Sequence, residues 1–129
     1  MTLTPFIGRL LLLPALILFA VPAQAQEVEL GPGLVCDTQT QVERFVALFN
    51  GDALAAVNAV NAEMHDPTAC GLANMAFVRG PQLATARNKD TTFDIVQILV
   101  VGVANEAGGV QSVTPAVFYS LFPVEEIEV

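Results

Sequence analysis

The chain has 129 residues, with 13 acidic and 5 basic side chains, a formal net charge of −8, 53% hydrophobic residues and 2 cysteines. This length fits one small domain, and the hydrophobic fraction excludes a disordered chain, because disordered chains bury too little apolar surface to offset their ordering entropy. The acidity argues against nucleic acid as a partner, since binding to a phosphate backbone depends on Lys and Arg.

The N-terminus carries the strongest signal in the sequence. Arg9 precedes the uncharged, mostly apolar run 10–20, which is shorter than the roughly 20 residues of a membrane-spanning helix. An Ala-x-Ala pattern that ends at Ala25 follows this run. We therefore expect residues 1–25 to be a signal peptide, and the mature chain to be periplasmic or secreted without a stable membrane anchor. The alternative is an uncleaved anchor in which the apolar run extends through Val21.

The two cysteines, Cys36 and Cys70, both follow the expected cleavage site. An even number of cysteines in an oxidising compartment predicts a disulfide bond between them. Closing this loop stabilises the fold by about 3.5–4 kcal/mol in a chain-entropy model. Catalytic redox chemistry would need a CxxC pair or a neighbour that stabilises a thiolate, and the spacing supplies neither.

We expect one domain over residues 34–129. The sequence of its first half predicts two helices. Residues 26–33 contain the breaker Gly-Pro-Gly and predict a flexible lead-in. Thr38 and Gln41 match a capping box, and the helix that follows Thr38 has an apolar stripe formed by Val42, Phe45, Val46 and Phe49. Asn50-Gly51 ends it. Asp52 caps a second, alanine-rich helix through about Met64.

The second half reads as strands. Residues 72–78, 91–104 and 110–113 are apolar or β-branched, Thr114-Pro115 predicts a short helical turn over 115–121, and residues 124–129 are a candidate edge strand. The predicted fold class is therefore α+β, with two N-terminal helices packed on a small, mainly antiparallel sheet of three to four strands. The alternative is an SH3-like half-open barrel with prefixed helices.

Candidate catalytic and metal sites are weak. His65 lies between Glu63 and Asp66, but a metal site needs more ligands than one imidazole and two neighbouring carboxylates. A pairing of His65 as base with Cys70 as nucleophile conflicts with the expected disulfide bond. We therefore expect no catalytic residue, no metal and no cofactor.

The basic residues are unevenly placed. Arg79, Arg87 and Lys89 are three of the five in the chain, and they fall in a stretch with Gly80-Pro81 that predicts a loop over 79–90. Such a loop would present a positive patch to the carboxylates of a partner, so we interpret it as a candidate partner-binding loop. The alternative is that these side chains form surface ion pairs of small energetic value.

Several short segments in the first half of the domain form a pattern: Val35-Cys36-Asp37-Thr38, Gln41-Val42-Glu43-Arg44-Phe45-Val46, Val60-Asn61-Ala62 and Ala69-Cys70-Gly71. The pattern resembles a family of small exported bacterial proteins of uncharacterised function. The resemblance implies export and a fold with paired cysteines, and it implies no activity.

These observations favour a non-enzymatic interaction module that binds a protein partner in the cell envelope. The 79–90 loop or the terminal edge strand would form the contact. One alternative is an inhibitor of a basic envelope-attacking enzyme, to which a strongly acidic domain would be steered. Others are a small hydrolase with convergent carboxylates, and a structural envelope component that assembles through 124–129. The oligomeric state stays open.

Overall fold

The computed structural model describes residues 27–89 and 91–124. These residues form two helices and four antiparallel strands, which confirms the α+β class. The expected order of helices before the sheet is wrong, because a strand comes first and both helices are inserted after it. In chain order the elements are β1 (Val28–Cys36), α1 (Gln39–Leu48), α2 (Ala53–Met64), β2 (Cys70–Asn88), β3 (Thr91–Ala104) and β4 (Val110–Pro123).

The strands form one sheet in the order β1-β2-β3-β4, which closes into a barrel where Cys36 of β1 pairs with Tyr119 of β4. Bulges interrupt the β2–β3 pairing after Ala76 and after Arg79, and the β3–β4 pairing before Gly102. A bulge bends its strand and increases the local twist, which explains how so few strands coil far enough to close. The SH3-like half-open barrel stays a prediction that this arrangement does not establish.

Strand β1 includes most of the segment that we expected to be a flexible lead-in. Residues 28–33 pair with β2 despite the Gly-Pro-Gly sequence, and Pro32 lies opposite Asn74. Proline fits here because β1 pairs with β2 along its whole length but with β4 only at Cys36, so most of β1 has one open side.

The strand predicted over 91–104 is confirmed as β3, whereas β2 and β4 are longer than expected. β2 extends through Asn88, so most of the predicted 79–90 loop is strand. The helical turn predicted over 115–121 is wrong, because these residues belong to β4 and pair with β3. Pairing along a whole strand overrides the local Thr-Pro signal. The expected signal peptide 1–25 and residues 125–129 of the candidate edge strand lie outside the described residues.

The helix boundaries agree with the capping signals. The Thr38 hydroxyl accepts a hydrogen bond from the Gln41 N–H, and Oε1 of Gln41 accepts one from the Thr38 N–H. Asp52 Oδ1 accepts from the Ala55 N–H at the start of α2. His65 ends α2 in the left-handed conformation, with φ of 54°. In the described part of the chain, no helix is both long and apolar enough to cross a membrane.

Two groups of buried side chains form the core, one on each face of the sheet. The helix-side core joins α1 and α2 to one face and contains Leu34, Cys36, Val42, Phe45, Val46, Ala56, Val57, Val60, Cys70, Phe93 and Ile95. The interior core lies on the opposite face, inside the closed barrel. It contains Met75, Phe77, Val96, Ile98 and Val100. The neighbours Ile95 and Val96 of β3 therefore serve different cores, as alternation along a strand requires.

Candidate binding cleft between the helices and the sheet

An apolar cleft of about 380 Å³ opens on the helix side of the sheet. Every residue that lines it is apolar: Pro32, Gly33, Leu34, Phe45, Phe49, Ala53, Leu72, Phe93 and Leu121. The strands supply one wall, and α1 with the first residue of α2 supplies the other. Leu72 is 48% exposed at this site, so the cleft reaches the solvent.

The composition of the helices explains why the space is open. Phe45 lies on α1 and Phe49 is the C-cap residue of this helix, and their rings stack with centroids 5.5 Å apart to form one side of the cleft. On α2 the position nearest the cleft is Ala53, and the residues that this helix buries are Ala56, Val57 and Val60. These side chains are too small to fill the volume between the aromatic pair and the sheet.

Asn88 holds the end of β2 against α1. Its side-chain amide donates to the carbonyl oxygen of Val46 at 2.7 Å and also to that of Phe49. These carbonyl groups lie at the C-terminal end of α1, where few helical N–H groups remain as donors, although the Val46 oxygen also accepts from the N–H of the C-cap residue Phe49. The contact fixes Phe49 beside the β2–β3 turn. The sequence pattern predicts a loop at Asn88 and indicates no role for its side chain.

A second, smaller hollow of about 170 Å³ adjoins the cleft. It shares Phe49 and Phe93 with the cleft, and its other lining residues are Asn50, Gly51, Asn88, Lys89 and Thr91. The two hollows are therefore neighbours, one with an apolar lining and one with mostly polar side chains in its lining. Among the residues that the structure describes, Lys89 is the charged one in the lining of the two hollows.

The three basic residues of the predicted loop do not form a common patch. Arg79 forms a two-bond ion pair with Glu29, at 2.7 and 3.0 Å, and its guanidinium lies 3.6 Å from the centre of the Phe122 ring. Arg87 donates to the Thr92 hydroxyl at 2.9 Å. Only Lys89 borders the candidate site. Arg79 and Arg87 lie on β2 with at most roughly 26 Å between them at about 3.3 Å per residue, since the bulges after Arg79 shorten the strand.

The predicted disulfide bond between Cys36 and Cys70 is confirmed. The two residues face each other across the β1–β2 pair, at the ends of the strands between which both helices are inserted. Both side chains are buried in the helix-side core. The bond therefore anchors the two ends of the helical insertion at one point of the sheet.

The neighbours of His65 have structural partners. Glu63 accepts two hydrogen bonds from Arg44, at 2.7 and 2.9 Å, and these bonds hold the pKa of the Glu63 carboxyl below its usual value. Asp66 accepts from the backbone and hydroxyl of Thr68 in the turn before β2. Within 27–89 and 91–124, no group of three or more His, Cys, Asp or Glu side chains is arranged to hold a metal ion.

The cleft is the feature that sequence analysis missed. The stripe containing Phe45 and Phe49 was predicted, but the stripe alone indicates only a buried face. The space depends on which small residues of α2 and which strand positions come opposite the stripe, and that depends on the closed sheet. Comparisons with protein-family models, curated proteins and solved structures found no match to this chain.

Proposed function

We propose that this chain is a small, exported, non-enzymatic binding module whose binding site is the helix–sheet cleft. The observation that carries the proposal is the lining of the cleft, in which nine apolar residues surround about 380 Å³ that opens to solvent. Small-molecule sites have volumes of roughly 300–1,000 Å³ and mostly apolar walls. The cleft therefore suits an apolar group rather than a reacting polar one.

The exposed part of this lining supports a binding role. Leu72 could be buried by a larger side chain at the position of Ala53, and burial of apolar surface contributes roughly 25 cal/mol per Å² to stability. The chain instead leaves the cleft open beside a rigid aromatic pair, Phe45 and Phe49. The disulfide bond fits export, since such bonds persist in oxidising compartments.

A hydrolase receives no comparable support. Three carboxylates at the helices and the turn before β2 have structural partners: Asp52 caps α2, Asp66 closes a turn, and Glu63 pairs with Arg44. None of the three lines the apolar cleft. The inhibitor of a basic enzyme and the structural envelope component remain proposals that rest on net charge and on residues 124–129.

The test uses protein recovered from the envelope fraction and the neutral fluorescent probe N-phenyl-1-naphthylamine, whose emission rises in apolar surroundings. We expect saturable binding of one probe per chain. Ala53→Leu extends a side chain into the cleft and should weaken binding by roughly tenfold or more. Ala55→Leu makes the same change at an exposed position of α2 and should leave binding unchanged.

Two results would overturn the proposed function. One is the absence of saturable binding by the unmodified chain. The other is equal binding by the Ala53 and Ala55 variants, which would place the probe elsewhere. Thermal unfolding of both variants controls for misfolding, because an unfolded chain also raises the emission of the probe. A second pair, Leu72→Lys in the cleft and Leu30→Lys outside it, tests the strand wall in the same way.

A further inference from the structure

We propose that the ligand is a single-chain amphiphile, with one acyl chain in the apolar cleft and an anionic headgroup beside Lys89. This inference rests on the proposed function and adds the chemical class of the ligand. Its basis is the adjacency of the two hollows, whose linings share Phe49 and Phe93. A molecule that extends from the cleft across these two rings passes from a mostly apolar surface to a more polar one.

The apolar part selects the tail. No polar side chain lines the cleft, so a polar group placed there would lose its hydrogen bonds to water without replacement, at a cost of roughly 1–3 kcal/mol or more. The volume of about 380 Å³ lies near the lower limit of small-molecule sites. One flexible hydrocarbon chain suits a site of this size better than two chains do.

The polar part selects the headgroup. Asn88 already directs its amide N–H groups to the carbonyl oxygens of α1. Lys89 and the Thr91 hydroxyl are further donors among the side chains of the smaller hollow, and Lys89 is its charged residue. An ammonium and a hydroxyl group together favour a carboxylate or a phosphate oxygen, because hydrogen bonds to ionised acceptors are the strong ones.

The backbone at Lys89 gives independent support. Asn88 pairs with Thr91, so Lys89 occupies the first position of a two-residue hairpin turn, and its φ is 47°. Turns of this kind favour Asn, Asp or Gly there, because other side chains tolerate a positive φ poorly. Local folding preference therefore does not explain the lysine. A charge required at the edge of the smaller hollow does explain it.

The experiment measures displacement of the naphthylamine probe by three ligands with the same chain, dodecanoate, dodecyl phosphate and neutral dodecanol, each below its aggregation concentration. We expect at least one of the two anions to bind roughly tenfold more tightly than dodecanol. This preference should fall when salt is raised from about 0.05 M to about 0.5 M. Tighter binding of dodecanoate assigns a fatty acid, and tighter binding of dodecyl phosphate assigns a lysophospholipid-like headgroup.

The matched variants are Lys89→Asn and Arg87→Gln. Asparagine tolerates the positive φ of the turn, so Lys89→Asn removes the charge without straining the backbone. It should remove the preference for anions and leave binding of dodecanol and of the probe unchanged. Arg87→Gln removes a charge two residues away, at a side chain that lines neither hollow, and should change none of the affinities.

The outcomes separate the two proposals. If the probe and dodecanol bind but neither anion binds more tightly, the ligand class is wrong and the binding function stands. If Lys89→Asn keeps the full preference for anions, the headgroup does not lie beside Lys89 and the inference is overturned. If none of the probes binds, the proposed function fails and the inference fails with it.

Discussion

The two cores of this domain differ in how they are closed. The interior core is enclosed by the sheet itself, and Arg79 stacks on Phe122 beside it while pairing with Glu29. The helix-side core is covered by two short helices, one of them rich in alanine, and a cleft remains at its edge. Four strands enclose a space that side chains fill, since even barrels of about eight strands are only just wide enough for side chains or one small ligand. Space for a ligand therefore arises where the helices meet the sheet.

The largest expected effect is the loss of the disulfide bond, which anchors the less enclosed core. Replacing both Cys36 and Cys70 by Ala should lower the free energy of unfolding by roughly 2–5 kcal/mol. Urea unfolding measures the loss, and hydrogen exchange should show it first at the amides of Val57 and Val60 in α2. An equal loss of protection at Ile98 in the interior would show that the two cores unfold as one unit.

The two isoleucines of β3 compare the cores directly. Ile95 is 0% exposed in the helix-side core, and Ile98 is 1% exposed in the interior core. Replacing either by Ala should cost about 2–5 kcal/mol, and the cost depends on how far the surroundings collapse into the cavity. Helices packed on one face of the sheet can move into the cavity that the substitution leaves, whereas hydrogen-bonded strands of a closed barrel move less. Ile98→Ala should therefore cost more than Ile95→Ala in guanidinium unfolding, and the reverse order would contradict the comparison.

Much of the helical half could be predicted from the sequence, because its signals are local. The Thr38–Gln41 capping box and the Asp52 cap depend on residue type and short spacing, and the disulfide bond follows from there being two cysteines in the chain. The strand half could not be predicted as well. Strand β1 contains Gly-Pro-Gly, and β4 contains Thr114-Pro115, so their local signals favour turns. Both became strands through pairing with distant residues, which local patterns do not report.

The close approach of neighbouring strands predicts a smaller effect at Gly102 of β3. A Cβ atom there would lie 2.8 Å from Cγ1 of Val110 and 3.1 Å from the backbone oxygen of Gln111. Gly102→Ala should therefore destabilise the domain by roughly 1–3 kcal/mol. Gly71→Ala is the matched control on β2, since nothing lies within 4 Å of its Cβ position. Equal urea midpoints for the two variants would show that the strands beside Gly102 move apart without loss of stability.

The smallest expected effect concerns the ion pair between Arg44 of α1 and Glu63 of α2. Its size shows whether charge or packing holds the two helices on the sheet. The pKa of Glu63 is lowered from 4.5 because Arg44 donates hydrogen bonds to its carboxylate. The pair therefore contributes to stability above about pH 4.5, and this contribution disappears as the pH falls through the lowered pKa. Both side chains are more than 40% exposed, so the contribution should be small and should decrease with salt.

Urea midpoints of Glu63→Gln should fall slightly below those of the unmodified chain at neutral pH and meet them in acid. Glu43→Gln removes a charge from α1 and leaves the Arg44–Glu63 pair intact, so it controls for net charge. A large loss in Glu63→Gln alone would mean that charge, rather than the packing of Val42, Val57 and Val60, holds the helices over the sheet.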